Sequence, residues 1–280
     1  MTESAPSAAS EDVVTVVRER GVAWVTLNRP AKRNAMNPVL NARMHEVLTE
    51  LEDDAACGVL VLTGAGEAFS AGMDLKEYFR DTEAKGPMAV RRAQRDAYGW
   101  WNRLRWFEKP TIAMVNGWCF GGAFAPLFAC DLAIAAETAR FGVSEVNWGI
   151  IPGGGVTKVL VELMSQREAM YYTLTGETFD GKRAVELKLV NEAVPLEQLR
   201  DRVRALADSL LEKNPRTLKA AKDAIRRVSE MPFEAALDYL VVKQESLYFL
   251  DKTQGAKEGI KQFIDDKTFR PGLGAYRKPE

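Results

Sequence analysis

Short β-branched blocks at residues 13–17 and 22–27 flank Gly21, a pattern that predicts two antiparallel strands joined at a glycine. Asn37-Pro38 then opens a helix, because Leu40, Met44, Val47, Leu48 and Leu51 recur at helical spacing behind it. His45 falls off that stripe and is expected in solvent. GVLVLT at residues 58–63 has the form of a buried strand ending in a glycine turn, and a polar helix is predicted over residues 88–107. Thr111–Val115 and Leu132–Ala136 repeat the strand pattern, each flowing into a turn and helical sequence. From Gly153 onward the pattern is mostly helical. Leu196, Leu199, Val203, Leu206 and Leu210 mark one apolar helix face, and Pro215 starts another helix. Strands mixed with helices and then helices alone predict an α/β core over residues 13–195, a helical region over residues 196–280, and a polar tail over residues 1–12.

Residues 111–130 carry no charge over a length that could span a bilayer. Asn116, Gly117, Gly121, Gly122 and Pro126 interrupt that stretch, so it is read as a buried strand, a glycine turn and a short core helix, with no membrane span expected. The N-terminus lacks the basic start and apolar run of a secretory signal. With 38 Lys+Arg against 39 Asp+Glu, no basic footprint for nucleic acid is present, and none is expected as a partner. Cys57, Cys119 and Cys130 form no C-x-x-C pair and are read as reduced, buried thiols of a cytoplasmic protein. The single histidine removes most zinc sites and Ser-His or Cys-His arrangements, so chemistry must rest on carboxylates, hydroxyls or backbone, with no metal.

Three segments could hold it. GAGEAFSAGMDLKEYF follows the 58–63 strand; its Gly64-Ala65-Gly66 lacks the third glycine of a dinucleotide fingerprint, since Phe69 occupies that place. Taken alone, the segment reads first as a glycine-rich turn and helix cap, and otherwise as a loop that exposes N–H groups near Met73. NGWCFGGAFAP has the same character at Gly121-Gly122, where glycine would let a ligand approach the backbone or let a helix pack closely on a strand. Two such loops could together form an oxyanion hole for a thioester enolate. In FGVSEVNWGIIPGGG, Glu145 sits beside Ser144 in apolar company that would raise its pKa for acid–base work, although such glutamates also cap or pair.

Taken together with NRPAKRNAM, these segments resemble the crotonase (enoyl-CoA hydratase/isomerase) superfamily over most of the chain. Within it, GMDLKEYF, MVNGWCFGG and SEVNWGI are most similar to the branch that hydrates and cleaves hydroxycinnamoyl-CoA thioesters, such as feruloyl-CoA to vanillin and acetyl-CoA. The resemblance implies a spiral of ββα units, with a C-terminal helical region that assembles a homotrimer or homohexamer. It implies an oxyanion hole at the Met73 and Gly122 N–H groups, with Glu145 as acid–base group beside Ser144. Trp148 would form a wall of the aromatic pocket. The acyl-CoA would pass Lys32, Ala71 and Leu75, and Tyr78 would donate to the phenolic oxygen. No cofactor is implied, because coenzyme A is part of the substrate.

The chain also departs from the pattern. Simple enoyl-CoA hydratases carry a second glutamate where Ala125 stands, and the hydratase-lyases a serine. A second phenol-binding tyrosine of that branch falls at Val241, while Tyr239 lies two positions earlier and is the candidate for that contact. The alternative activity is hydration without carbon–carbon cleavage.

Overall fold

The computed structural model describes residues 12–268 and 274–278. The predicted tail lies outside them except for Asp12. Strands β1 (Val14–Glu19) and β2 (Val22–Leu27) pair antiparallel, as the sequence predicts. Parallel pairing then carries the sheet from β2 through β3 (Val59–Gly64), β5 (Thr111–Val115) and β7 (Leu132–Ala136) to β10 (Glu192–Val194). Every residue of β3 and β5 is buried, which explains their continuous apolar sequences: a parallel strand covered on both faces has no solvent side to mark. A second, smaller sheet has the order β4 (Ala68–Ser70), β6 (Trp118–Phe120), β8 (Arg140–Gly142) and β9 (Thr178–Asp180), with β9 antiparallel to β8.

The two sheets arise from one repeated unit. A long strand enters the large sheet, a short one enters the small sheet, and helix follows: β3, β4 and α2 (Pro87–Arg105); β5, β6 and α3 (Phe124–Ala129); β7, β8 and then α4 (Val156–Leu163) and α5 (Gln166–Thr175). This is the expected spiral of ββα units. The earlier helix α1 (Pro38–Asp53) is capped by the Asn37 side chain, which accepts from Leu40 N at 2.9 Å, and buries Leu40, Met44, Val47, Leu48 and Leu51. Trp100 Nε1 on α2 donates to Asn41 Oδ1 at 2.9 Å and joins the two helices. His45 is not in solvent: half-buried between these helices, its Nε2 lies 2.8 Å from the Asp96 carbonyl oxygen, and Gly99 leaves room for its ring.

The stretch 111–130 resolves into β5, β6 and α3, and no helix among the described residues is long and apolar enough to cross a membrane. All three cysteines are buried free thiols. The short strands β9 and β10 interrupt the region read as helical after Gly153, three residues being too few to set a period; α6 (Gly181–Glu186) lies between them. The division at residue 195 also changes meaning. Helix α7 (Leu196–Leu211) buries Leu199, Val203 and Ala207 against the large sheet and so belongs to the core. Helices α8 (Pro215–Val228) and α9 (Phe233–Leu250) bury no residue, and α10 (Gly255–Ile264) buries only Gly255 and Gln262. One buried ion cluster ties α8 back to the core. Asp131 accepts from Lys222 Nζ at 2.7 Å and Arg226 Nη2 at 2.8 Å, and from the Thr111 N–H at 2.8 Å.

Candidate active site

Strands β4, β6 and β8 are parallel neighbours, so their carboxyl ends lie side by side. The three chemical segments of the sequence leave from those ends: Ala71-Gly72-Met73 after β4, Gly121-Gly122 after β6, and Ser144-Glu145 after β8. They converge on one cleft of about 1000 Å³. Residues 50 apart in sequence therefore meet because successive turns of the spiral stack.

At its centre two backbone segments touch. Met36 N donates to Gly72 O at 2.7 Å and Asp74 N to Met36 O at 3.0 Å, and the Met73 N–H takes no part in that ladder. A Cβ placed at Gly122 would lie 3.4 Å from Met73 N and 3.0 Å from Met73 Cγ, and one at Gly72, whose φ is +88°, would stand 2.6 Å from Phe120 O, so glycines let the two segments approach closely. Gly122 is the second residue of the helical turn Gly121–Ala123 that runs into α3, where N–H groups lack intrahelical partners. The pair of amides can receive a developing anion.

Glu145 rests against the same corner. Its Oε1 would be 3.0 Å from a Cβ on Gly121, whose φ of +50° is a left-handed conformation that favours glycine. Its Oε2 is buried and makes no hydrogen bond to protein. Burial pushes the carboxyl above the usual glutamate range, partly offset by its own backbone N–H. The other carboxylate lining the cleft is committed elsewhere. Asp74 accepts from Lys76 N and Glu77 N, capping the π-helical turn Leu75–Arg80, and pairs with Arg29 at 3.0 Å. Burial alone would raise Asp74, but the Glu77 N–H and the Arg29 guanidinium outweigh it and hold the carboxyl below its usual range. Ala125 is buried on α3 and adds no polar group. Glu145 is thus the one uncommitted carboxylate of the cleft among the described residues.

One end of the cleft is aromatic. The π-helical turn carries Tyr78, 5% exposed and edge-on to Phe79 at 5.0 Å. Burial, reinforced by Tyr98, drives its phenol above the usual tyrosine range, so it stays protonated as a donor. Trp148, 65% exposed, and Ile151, 82% exposed, form an exposed apolar lip of the cleft. Exposed Lys32, Ala71 and Leu75 line the cleft too, with Arg33, whose guanidinium stacks 4.9 Å above the Trp118 ring.

The structure thus gathers Lys32, Ala71, Met73, Leu75, Tyr78, Gly122, Ser144, Glu145 and Trp148 around one cleft. Tyr239 does not join them. It sits on α9, which packs on α8, and neither it nor Val241 lines the cleft of its own chain. The reading of the sequence missed Tyr98, Trp101 and Gln94, which reach the cleft from α2. Their spacing on a helix was the available signal, hidden by the polar look of that segment. Among the described residues no group of His, Cys, Asp and Glu is placed to hold a metal ion.

Comparison with known proteins finds relatives over most of the chain. The family profile described as enoyl-CoA hydratase/isomerase matches residues 17–270. The chain is 54% identical over 266 residues to the hydroxycinnamoyl-CoA hydratase-lyase of Pseudomonas fluorescens, covering 95% of this chain and 96% of that protein. It is 34% identical over 256 residues to the 2,3-dehydroadipyl-CoA hydratase of Escherichia coli, covering 90% and 96%. The crystal structure of an enoyl-CoA hydratase from Bacillus anthracis superposes with a TM-score of 0.83 at 28% identity, covering 96% of this chain and all of that one.

Proposed function

The chain belongs to the enoyl-CoA hydratase/isomerase family, and from that premise we propose that it is a lyase that hydrates p-hydroxycinnamoyl-CoA thioesters and then cleaves them, taking feruloyl-CoA to vanillin and acetyl-CoA. The observation that carries this reading is the placement of Glu145: a lone, desolvated carboxylate with an unpartnered buried oxygen, beside two backbone amides in contact.

The thioester carbonyl binds at the Met73 and Gly122 N–H groups. Glu145, as carboxylate, takes a proton from water while the water oxygen bonds to the β-carbon, and the displaced electron pair collects on the thioester oxygen as an enolate. The glutamic acid then returns the proton to the α-carbon, giving the β-hydroxyacyl-CoA. In the second stage Glu145 takes the β-hydroxyl proton, the Cα–Cβ bond breaks, and the aromatic aldehyde forms. The electron pair leaves as acetyl-CoA enolate at the same two amides, and Glu145 protonates its α-carbon. The para-oxygen, held by Tyr78, releases electron density through the ring toward the β-carbon, which stabilises the aldehyde carbonyl as the Cα–Cβ bond breaks. Trp148 walls the aromatic ring, Ser144 borders Glu145, and Lys32, Ala71 and Leu75 guide the coenzyme A arm, Lys32 near its phosphates.

Coenzyme A is substrate here, and the protons move between Glu145, water and the acyl chain with no further cofactor. The reading places the enzyme in the cytoplasm, as a homotrimer or homohexamer assembled through its C-terminal helices. Support for assembly comes from α9, where Phe233 is 72% and Phe249 88% exposed, and from α10, where Ile260 is 56% and Ile264 58% exposed, large apolar side chains of the kind that mark an interaction surface. Incubation with feruloyl-CoA and no added cofactor, followed by chromatography, tests the activity. Vanillin and acetyl-CoA in equal amounts are expected; a stable β-hydroxyacyl-CoA without aldehyde would mean hydration alone.

A further inference from the structure

Helix α2 turns two faces inward. Ala93, Ala97, Trp100 and Leu104 enter the core, while Gln94, Tyr98 and Trp101, spaced i, i+4 and i+7, border the cleft. The Tyr98 ring lies against Trp101, centroids 5.4 Å apart and planes 36° apart. Both rings close on Gly154, where an added Cβ would stand 3.1 Å from Tyr98 Cε1 and 2.8 Å from Trp101 Cζ3. The ring is therefore held between a helix and a glycine loop. Tyr98 remains 42% exposed, lines the same cleft as Tyr78, and is among the groups that push the Tyr78 phenol above the usual tyrosine range. Two phenols from different elements, α2 and the π-helical turn, thus meet at the aromatic end of the cleft with nothing in the reaction assigned to the second.

We infer that Tyr98 is a second specificity-determining residue that reads the para-oxygen of the ring, forming with Tyr78 a two-hydroxyl clamp supplied by a single chain. This rests on the hydroxycinnamoyl-CoA reading of the same site. Each hydroxyl has one proton to donate, and both tyrosines line the cleft. An incoming phenolic oxygen, ionised or carrying charge pushed back from the ring, can accept from both, and such bonds to a charged acceptor are the stronger kind. A cinnamoyl ring without a para-oxygen offers the pair no acceptor. The clamp selects 4-hydroxylated rings over unsubstituted ones.

Tyr98→Phe, Tyr78→Phe and the double variant test this on two readouts. The first is kcat/KM for p-coumaroyl-CoA, with the dissociation constant of cinnamoyl-CoA as control. The second is the absorbance titration of bound 4-hydroxybenzaldehyde, which reports the phenol's own ionisation. Tyr98→Phe is expected to lower kcat/KM about tenfold, less than Tyr78→Phe because Tyr98 is partly in water, and to raise the bound phenol's pKa by about one unit. Cinnamoyl-CoA affinity should hold within about twofold, and the double variant should lose more than either single one. Equal losses for both thioesters would make Tyr98 mere wall packing and overturn the inference. A double variant no worse than Tyr78→Phe would show that Tyr98 acts only through Tyr78, and would overturn it as well. Were wild-type protein to release no aldehyde from p-coumaroyl-CoA, the proposed function would fail; the titration with 4-hydroxybenzaldehyde, which needs no turnover, would still decide the role of Tyr98.

Discussion

Glu145→Gln separates what this side chain does for the reaction from what it costs the fold. The amide keeps the shape of the carboxyl against Gly121 but cannot take a proton from water or from the β-hydroxyl. Removing general acid–base catalysis lowers rates by about 10²–10⁴, or about 2.7–5.4 kcal/mol of transition-state stabilisation. Both product aldehyde and β-hydroxyacyl-CoA should fall together by that factor, because one carboxylate serves both stages. The affinity for feruloyl-CoA should change little, since the Met73 and Gly122 amides remain. The pH dependence follows from the raised pKa of Glu145. Wild-type kcat/KM should fall as pH drops through a value above the usual glutamate range, because the base must be ionised. Stability runs the other way. A carboxyl whose folded pKa is raised stabilises the fold fully below its unfolded pKa, and that contribution is lost as pH rises through the folded pKa. The Gln variant has no such loss, so its melting temperature should gain on wild type as pH rises from about 4 toward neutrality. Quenched reactions resolved by chromatography and thermal melts across pH measure both. Near-normal aldehyde production by the variant would refute the acid–base role. Hydration retained with cleavage lost would refute the use of one carboxylate for both stages.

Tyr78→Phe removes a buried hydroxyl and should lower kcat/KM for feruloyl-CoA by about 10- to 150-fold, the range expected for a hydrogen bond to a charged phenolate, whereas Tyr239→Phe should cost much less. A larger loss for Tyr239→Phe in parallel kinetics would show that α9 of a neighbouring subunit supplies the main phenol contact. Asp131→Ala strips the carboxylate from Lys222 and Arg226, whose side chains are 9% and 12% exposed, and should destabilise the protein by about 3–5 kcal/mol, read from the shift of its urea unfolding midpoint. Light scattering at micromolar concentration should return a multiple of three times the 31.1 kDa chain; a monomer there would contradict assembly through α9 and α10.

Much of this molecule is local and was legible as such. Strands β1, β2, β3, β5 and β7 follow from apolar runs between turn residues, and α1 and α7 from apolar positions at helical spacing. Glycines 121 and 122 and the apolar setting of Glu145 are likewise properties of a few consecutive residues, so the segments that carry the chemistry could be picked out one at a time. What consecutive residues cannot show is which segments become neighbours. The short strands β4, β6 and β8 are three residues each, too brief for any period to register, yet their parallel pairing is what brings Met73, Gly122 and Glu145 to one corner. Tertiary packing also corrected single residues. His45 lies off the apolar stripe of α1 and is half-buried all the same, because α2 covers that side of the helix. Tyr98 belongs to a helix that looks polar along its length, and only the approach of the π-helical turn and of Gly154 makes its exposed face part of a pocket. Hydrophobic periodicity records which side of an element meets the core. The company that side keeps is decided by how the spiral stacks, through contacts between residues far apart in the chain.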